Sequence, residues 1–175
     1  MNQTIPFFDT HCDIGYDLYA HKNYQAQRLQ FHLDKLKEGN CVGVNVACWI
    51  GHGESFEEMQ NMVLHANKML GSINARPLQK GDEIHPDNNC YLLSMEGLMG
   101  IHDNPEECID WLYDQGVRMC SLCWNEENDL ATGVKGNKEH GLHPLGHRVI
   151  DQMKRRGMIL DVSHMNDKSF YDALA

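Results

Sequence analysis

Five short apolar runs alternate with helical patterns along this chain of 175 residues, and this alternation constrains the fold more than any other feature. The runs predict strands over residues 5–9, 41–50, 90–95, 117–124 and 158–163. The second run is almost entirely apolar, as expected of a strand that is buried on both faces. Residues 76–89, with their proline, glycine and charges, predict a loop. Strands that alternate with helices in this way form right-handed βαβ units and a parallel sheet.

The predicted helices begin and end at recognisable signals. Ser55 and Glu58 have the spacing of a capping box. Asn104 followed by Pro105 predicts another helix start, because proline is favoured at the first helical position. Asn166 is the predicted cap of a last helix. The other predicted helices cover residues 28–38, 105–115 and 144–156.

Two parallel architectures are compatible with this pattern, an open doubly wound sheet and a (β/α)8 barrel. No Gly-x-Gly-x-x-Gly follows the first predicted strand, which disfavours the dinucleotide-binding form of the open sheet. In a barrel, the active site lies at the carboxyl ends of the strands. Residues that can bind metals follow three of the predicted strands, namely His11, Asp13, Glu96 and His164. This placement favours the barrel.

His11 and Asp13 are two residues apart at the end of the first predicted strand. Alternate side chains of a strand point to the same face, roughly 6.6 Å apart along the chain. An imidazole and a carboxylate at this spacing can close on one divalent ion, with zinc bonds of about 2.0–2.2 Å. A solvated loop pair is the simpler interpretation, but the further candidates at later strand ends disfavour it. By the same alternation, Asp161 faces away from His164, and we expect it either to support the metal ligands from behind or to have a structural role.

Other motifs predict less. Cys120 and Cys123 have zinc-knuckle spacing, but residues three apart on a strand face opposite sides, and no second pair accompanies them. Trp124 and Asn125 lie at the same sheet edge as the metal candidates. Asn125 and Asn128 could contact a substrate, and a turn-forming role is at least as compatible with their sequence. Three further histidines are predicted to lie on the surface or in a loop: His140, His143 and His147.

Composition excludes several classes of protein. The formal net charge is −10 and no basic run offsets it, which argues against nucleic acid or an anionic membrane as a partner. The seven cysteines are odd in number, unlike a secreted disulfide framework. The chain opens on no signal-peptide pattern and has no run approaching the ~20 apolar residues of a membrane span. A cytoplasmic location is therefore expected.

Several motifs together resemble the renal (membrane) dipeptidase family of metallopeptidases, and the resemblance covers essentially the whole chain. The opening DTHCD resembles the family's Asp-x-His-x-Asp, and LSMEG resembles its strand that ends in Glu-Gly. GLHPLG is similar to the Gly-Leu-(Thr/Ser)-Pro-x-Gly that precedes a helix, and ILDVSH is similar to Ile-Asp-(Leu/Val)-Ser-His. The stretch WNEEN is similar to a Trp-Asn segment of some bacterial members, where many other members have a substrate-orienting histidine at the position of Trp124.

This resemblance implies a (β/α)8 barrel with two zinc ions that hydrolyses dipeptides through a metal-bridging hydroxide. It implies that His11 and Asp13 hold one zinc, that the catalytic Glu96 bridges both, and that His164 holds the second. Trp124 and Asn125 are the candidates for substrate binding. Because each oxygen of a carboxylate can take one metal, a glutamate suits the bridging position.

Members of the family are considerably longer than this chain. The second zinc's other histidine and the arginine that binds the substrate carboxylate lie beyond Ala175 in the family's pattern. Residues 1–175 are therefore predicted to be the first five βα units of the barrel, to bind at most one zinc tightly, and to associate with themselves or with a C-terminal half. The alternatives are a truncated remnant without activity, or another metal-dependent hydrolase, such as an amidohydrolase or lactonase.

Overall fold

The computed structural model describes residues 5–21, 25–51, 53, 55–84 and 90–175. Strands and helices alternate through these ranges. In chain order they are β1 (Phe7–Cys12), α1 (Ile14–Ala20), α2 (Gln25–Glu38), β2 (Cys41–Trp49), α3 (Phe56–Ser72), β3 (Arg76–Pro77), β4 (Cys90–Glu96), α4 (Pro105–Asp114), β5 (Val117–Ser121), α5 (Pro144–Arg156), β6 (Ile159–Asp161) and α6 (Asp167–Leu174).

All strand pairs in the sheet are parallel. The strands are ordered β1-β2-β4-β5-β6, and the two-residue β3 pairs with the start of β4. The five strands predicted from the sequence are therefore neighbours in chain order, and the sheet curls as part of a barrel. The prediction of a parallel α/β barrel of the TIM type is confirmed.

Several element boundaries differ from the prediction. Strand β1 continues to Cys12, so that His11 lies within the strand rather than after it. Strands β5 and β6 are shorter than predicted, because the chain turns away at Ser121 and Asp161. Strand β3 lies in the predicted loop, whose residues 85–89 fall outside the described part of the chain.

Helix α1 was not predicted, because its seven residues are too few to show a helical period. It packs closely on β2: a Cβ at Gly15 would lie 2.6 Å from the carbonyl oxygen of Ala47. Glycine at this position allows the helix backbone to approach the strand. The helix begins directly after Asp13, the residue that follows the end of β1.

Two of the three predicted helix caps form. The Ser55 hydroxyl accepts the backbone N–H of Glu58 at 3.3 Å, and Asn166 accepts that of Ser169 at 2.8 Å. The third, Asn104, makes no side-chain cap, because its φ of 43° is left-handed and a capping side chain needs an extended backbone. In α3, the Glu58 carboxylate accepts a hydrogen bond from the hydroxyl of Tyr19 at 2.7 Å, and this bond connects α3 to α1.

The core lies between the sheet and the helices, and α3 contributes many of its side chains. One face of α3 is buried, as its helical spacing predicts, and comprises Met59, Met62, Val63, Ala66, Met69 and Leu70. It packs in the same cluster as buried side chains of β2, β4 and β5. None of the described helices combines the length and the apolar character needed to cross a bilayer.

All seven cysteines are free, and the buried ones make stability sensitive to alkaline pH. Burial raises the pKa of Cys48, Cys120 and Cys123 from 9.0 to about 12 in each case. Between these values the unfolded chain loses thiol protons that the folded chain keeps, so the stability of the fold decreases as the pH rises. We expect the urea midpoint to decrease from pH 9 upwards. Replacing the three cysteines with alanine should flatten this dependence, and an unchanged slope would contradict the assignment.

Candidate active site

A bulge in β1 aims His11 at the carboxyl end of the sheet. Asp9 pairs with Val44 and Cys12 with Val46, so β1 has one extra residue between these two pairs. Neighbouring side chains bind the backbone groups that the bulge frees. The Asp9 carboxylate accepts the His11 N–H at 3.2 Å, and the Asn45 amide donates to the carbonyl of Thr10 at 2.9 Å.

Glu96 lies in a row of aligned residues that crosses four strands. Trp49 is in register with Glu96, Glu96 with Ser121, and Ser121 with Asp161. Residues in register on neighbouring strands face the same side of a sheet. The row therefore presents an indole, a hydroxyl and two carboxylates to one side. The Ser121 hydroxyl accepts the N–H of Gly97 at 2.8 Å, where β4 ends.

The four predicted metal ligands lie close together, and Glu96 is the central one. His11 Nε2 lies 3.3 Å from Asp13 Oδ1 and 3.3 Å from Glu96 Oε2. His164 Nε2 lies 3.0 Å from the other oxygen, Glu96 Oε1. The ligand atoms of His11, Asp13 and Glu96 are all within 4.8 Å of one another. Each oxygen of Glu96 thus faces a different imidazole.

The electrostatics around Glu96 favour a cation. Its side chain is only 9% exposed, and burial raises its pKa above the ordinary value for a glutamate. The charges of Asp13 and Asp161 also raise the pKa of Glu96, whereas His11 and His164 lower it. A buried carboxylate near two others is unfavourable unless positive charge compensates it.

The donor set fits a divalent transition-metal ion. Imidazole and carboxylate donors suit zinc, whereas magnesium prefers oxygen ligands throughout. In a tetrahedral site with bonds of 2.0–2.1 Å, neighbouring ligand atoms are about 3.3 Å apart. The contacts of His11 with Asp13 and with Glu96, both 3.3 Å, have this spacing.

His164 lies on a turn that follows β6, and its backbone conformation is unusual. Its φ of 68° is left-handed, which is uncommon for a residue with a side chain. The loop after β5 holds it in place: Val134 donates its N–H to the carbonyl of His164 at 2.9 Å. The Asn125 amide oxygen lies 3.3 Å from His164 Nδ1.

The prediction that Asp161 faces away from His164 is wrong. Asp161 and His164 line the same cavity of about 440 Å³, together with His11 and Glu96. Strand alternation does not apply between them, because β6 ends at Asp161 and the chain then turns. Asp161 accepts the N–H of Ser163 at 2.8 Å, so it also shapes this turn.

Aromatic side chains form a wall beside His164. The ring centroids of Trp124 and His164 are 5.9 Å apart, those of Trp49 and Trp124 are 5.3 Å apart, and those of Tyr16 and Trp49 are 5.1 Å apart. Only Trp124 was singled out from the sequence. Trp49 could have been found, because it ends an apolar strand, but Tyr16 lies on the unpredicted α1 and gave no signal.

Asn128 has the turn-forming role that its sequence allowed. Its amide donates to the carbonyl of Leu122 at 2.8 Å, and its oxygen accepts the N–H groups of Leu130 and Ala131, both at 2.9 Å. These bonds use both ends of the side chain to shape the loop after β5.

A parallel barrel sheet with clustered histidines and carboxylates at the carboxyl ends of its strands has the architecture of a TIM-barrel metallohydrolase. The family model of membrane dipeptidases (Peptidase family M19) matches residues 1–175. The chain belongs to this family, which confirms the resemblance noted in the sequence.

Individual relatives agree with this assignment. An uncharacterised dipeptidase of Schizosaccharomyces pombe is 26% identical over 97% of this chain and 49% of its own length. Dipeptidase tcpJ of Claviceps purpurea is 35% identical over 46% of this chain and 20% of its own length.

A solved structure shows the same fold. It is a metallopeptidase of Rhodobacter sphaeroides, liganded with a phosphinate mimic of the dipeptide L-Ala-D-Ala. It has a TM-score of 0.82 and 20% identity, over 98% of this chain and 62% of that one. The present chain thus spans about half the length of the S. pombe relative and less than two thirds of this structure.

Proposed function

We propose that this chain provides the N-terminal part of a zinc-dependent dipeptidase. The observation that carries the proposal is the position of Glu96, whose two oxygens face His11 and His164 separately. The dipeptidase relatives, and the dipeptide mimic in the Rhodobacter structure, support a dipeptide as the substrate.

Four residues would hold the metal. His11 and Asp13 provide the ligands of one position, Glu96 contributes one oxygen to each position, and His164 contributes to the second. The chemistry that a bound pair of ions supplies is polarisation of the scissile carbonyl and activation of water at neutral pH.

The other residues of the site orient ligands and substrate. Asn125 accepts a hydrogen bond from His164 Nδ1, so the lone pair of the neutral ring is on Nε2, the atom that faces Glu96. Trp124 packs against the same imidazole and leaves a half-buried aromatic surface for apolar parts of a dipeptide. We assign substrate contact to Trp124 and ligand orientation to Asn125.

The second metal position has too few ligands in the part of the chain that the structure describes. Among the described residues, Glu96 and His164 supply two, and a catalytic zinc usually has three protein ligands. Strands β1 and β6 each have one neighbour in the described sheet, so both can pair further. We propose that the rest of a barrel, or a second copy of the chain, completes the site. We also propose that the protein is located in the cytoplasm, where its seven cysteines stay reduced.

Metal analysis and a dipeptide assay on the purified chain test this proposal. At the positions around Glu96 we expect at most one tightly bound zinc per chain, lost in His11→Ala, and no turnover above background. Adding a separately produced C-terminal half should restore turnover. Failure of the wild-type chain to retain any metal would contradict the assigned ligands. Retained metal without turnover, even with the second half present, would favour a non-catalytic remnant. Turnover by the chain alone would show that a second copy completes the site.

A further inference from the structure

We propose that Lys135 makes the site selective for dipeptides that carry an acidic side chain, by pairing its ammonium group with the side-chain carboxylate of the substrate. This inference rests on the proposed function, and it names the class of dipeptide that the site prefers. Lys135 is an exposed residue of the loop after β5.

The backbone of this loop holds Lys135 beside the candidate site. Lys135 donates its N–H to the carbonyl of Asn125 at 2.8 Å, and the preceding residue, Val134, donates to the carbonyl of His164 at 2.9 Å. The side chains of Asn125 and His164 contact each other, and His164 lines the cavity around Glu96. Two consecutive hydrogen bonds therefore attach the backbone at Lys135 to residues of the site.

The side chain of Lys135 reaches the aromatic wall. Its Nζ lies 5.8 Å from the centroid of the Trp124 ring, within the range of a cation–π contact. The centroid of the same ring is 5.9 Å from that of His164. Trp124 thus contacts a proposed metal ligand and also a free-standing cation. A substrate that packs against Trp124 comes within reach of this ammonium group.

The ammonium group of Lys135 is available to a ligand. No carboxylate of the described residues forms an ion pair with it, whereas Lys35 and Lys168 pair with Glu38 and Asp172 on their own helices. A carboxylate of the substrate would therefore not have to displace one that belongs to the protein. A lysine held against an aromatic ring also loses less side-chain freedom when it forms an ion pair.

The reach of a dipeptide favours its side chain as the partner. The C-terminal carboxylate is only one residue, about 3.5 Å of extended chain, from the scissile bond. It therefore stays in the cavity around Glu96, which Lys135 does not line. The side chain of an aspartate or glutamate can extend outwards from this cavity to the ammonium group.

Kinetics on matched dipeptides test the inference, with the chain combined with the separately produced C-terminal half. Ala-Glu and Ala-Gln have the same shape and differ in charge, as do Glu-Ala and Gln-Ala. We expect kcat/KM to favour the acidic member of a pair by about 5-fold, the effect of a favourable exposed ion pair. Lys135→Met should remove this preference, Lys135→Arg should keep it, and Lys135→Glu should reverse it. Lys138→Met is the matched control, because Lys138 is an exposed lysine of the same loop.

A binding measurement on Lys135 itself separates this inference from the proposed function. Reductive methylation with isotope-labelled methyl groups keeps the charge of the lysines, and the Lys135 NMR signal is the one that Lys135→Arg removes. We expect an acidic dipeptide, and not its glutamine counterpart, to shift this signal. Turnover without a charge preference, or a Lys135 signal that no acidic dipeptide shifts, would overturn the inference. A shifted signal without turnover of any dipeptide would contradict the proposed function alone.

Discussion

Replacing Glu96 with glutamine is expected to weaken metal binding at both positions of the candidate centre by more than about 100-fold, beyond the 10–100-fold that loss of an outer-shell partner costs. Glutamine keeps the size of the side chain but removes the negative charge, and it has one oxygen where Glu96 has two. Since these oxygens face His11 and His164 separately, the substitution affects both positions at once. Competition with a chromophoric chelator, carried out on the chain combined with the separately produced C-terminal half, measures the affinities.

Two variants distinguish a bridging glutamate from a general loss of charge. His11→Ala should affect one position and leave the other. Asp161→Asn removes the same charge from the same cavity, but Asp161 has no assigned ligand role, so its affinities should change by less than about 10-fold. If Glu96→Gln and Asp161→Asn had equal effects, charge alone would explain the result, and the bridging role of Glu96 would be wrong.

The sequence predicted which residues meet at the candidate site better than how the chain places them. His11, Asp13, Glu96 and His164 were identified because parallel strands bring their carboxyl ends to one edge. This rule needs only the order of the strands. The position of each ligand along its strand mattered little, so the error in the bounds of β1 did not affect the set.

Features that depend on the exact backbone could not be predicted. The bulge that aims His11 depends on the pairing of β1 with β2 and on the contact of Asn45 with Thr10. Asn45 and Thr10 are 35 residues apart in the sequence. The direction of Asp161 followed from where β6 ends, and alternation gave the wrong answer there. The left-handed φ of His164 is imposed by contacts with the loop after β5, which local sequence does not encode.

The loop after β5 requires a glycine at position 133, and Gly133→Ala is expected to be strongly destabilising. A Cβ at this position would lie 2.1 Å from the carbonyl oxygen of Trp124 and 2.5 Å from the carbonyl carbon and oxygen of Asn125. All three atoms belong to the backbone, so no side chain can rotate away. Overpacking typically costs 1–3 kcal/mol, and with three such contacts we expect a loss of about 3 kcal/mol or more in the free energy of unfolding.

Gly71→Ala is the matched control. Gly71 lies near the end of α3, and a Cβ there would have no neighbouring atom within 4 Å. The same substitution should therefore stabilise the chain by about 0.5–1 kcal/mol, because alanine loses less backbone entropy on folding. Urea denaturation of both variants, at one pH and without metal, measures the two free energies.

The Gly133→Ala substitution should also weaken metal binding at the candidate site. Gly133 pairs with Met165, and its neighbour Val134 holds the carbonyl of His164. Displacing Trp124 and Asn125 moves two of the residues that contact the His164 ring, so metal affinity at the second position should decrease under conditions where the variant is still folded. A Gly133→Ala variant as stable as the wild type would show that the loop can shift away from the strand end. Unaltered metal affinity in a destabilised variant would show that His164 is positioned by β6 alone.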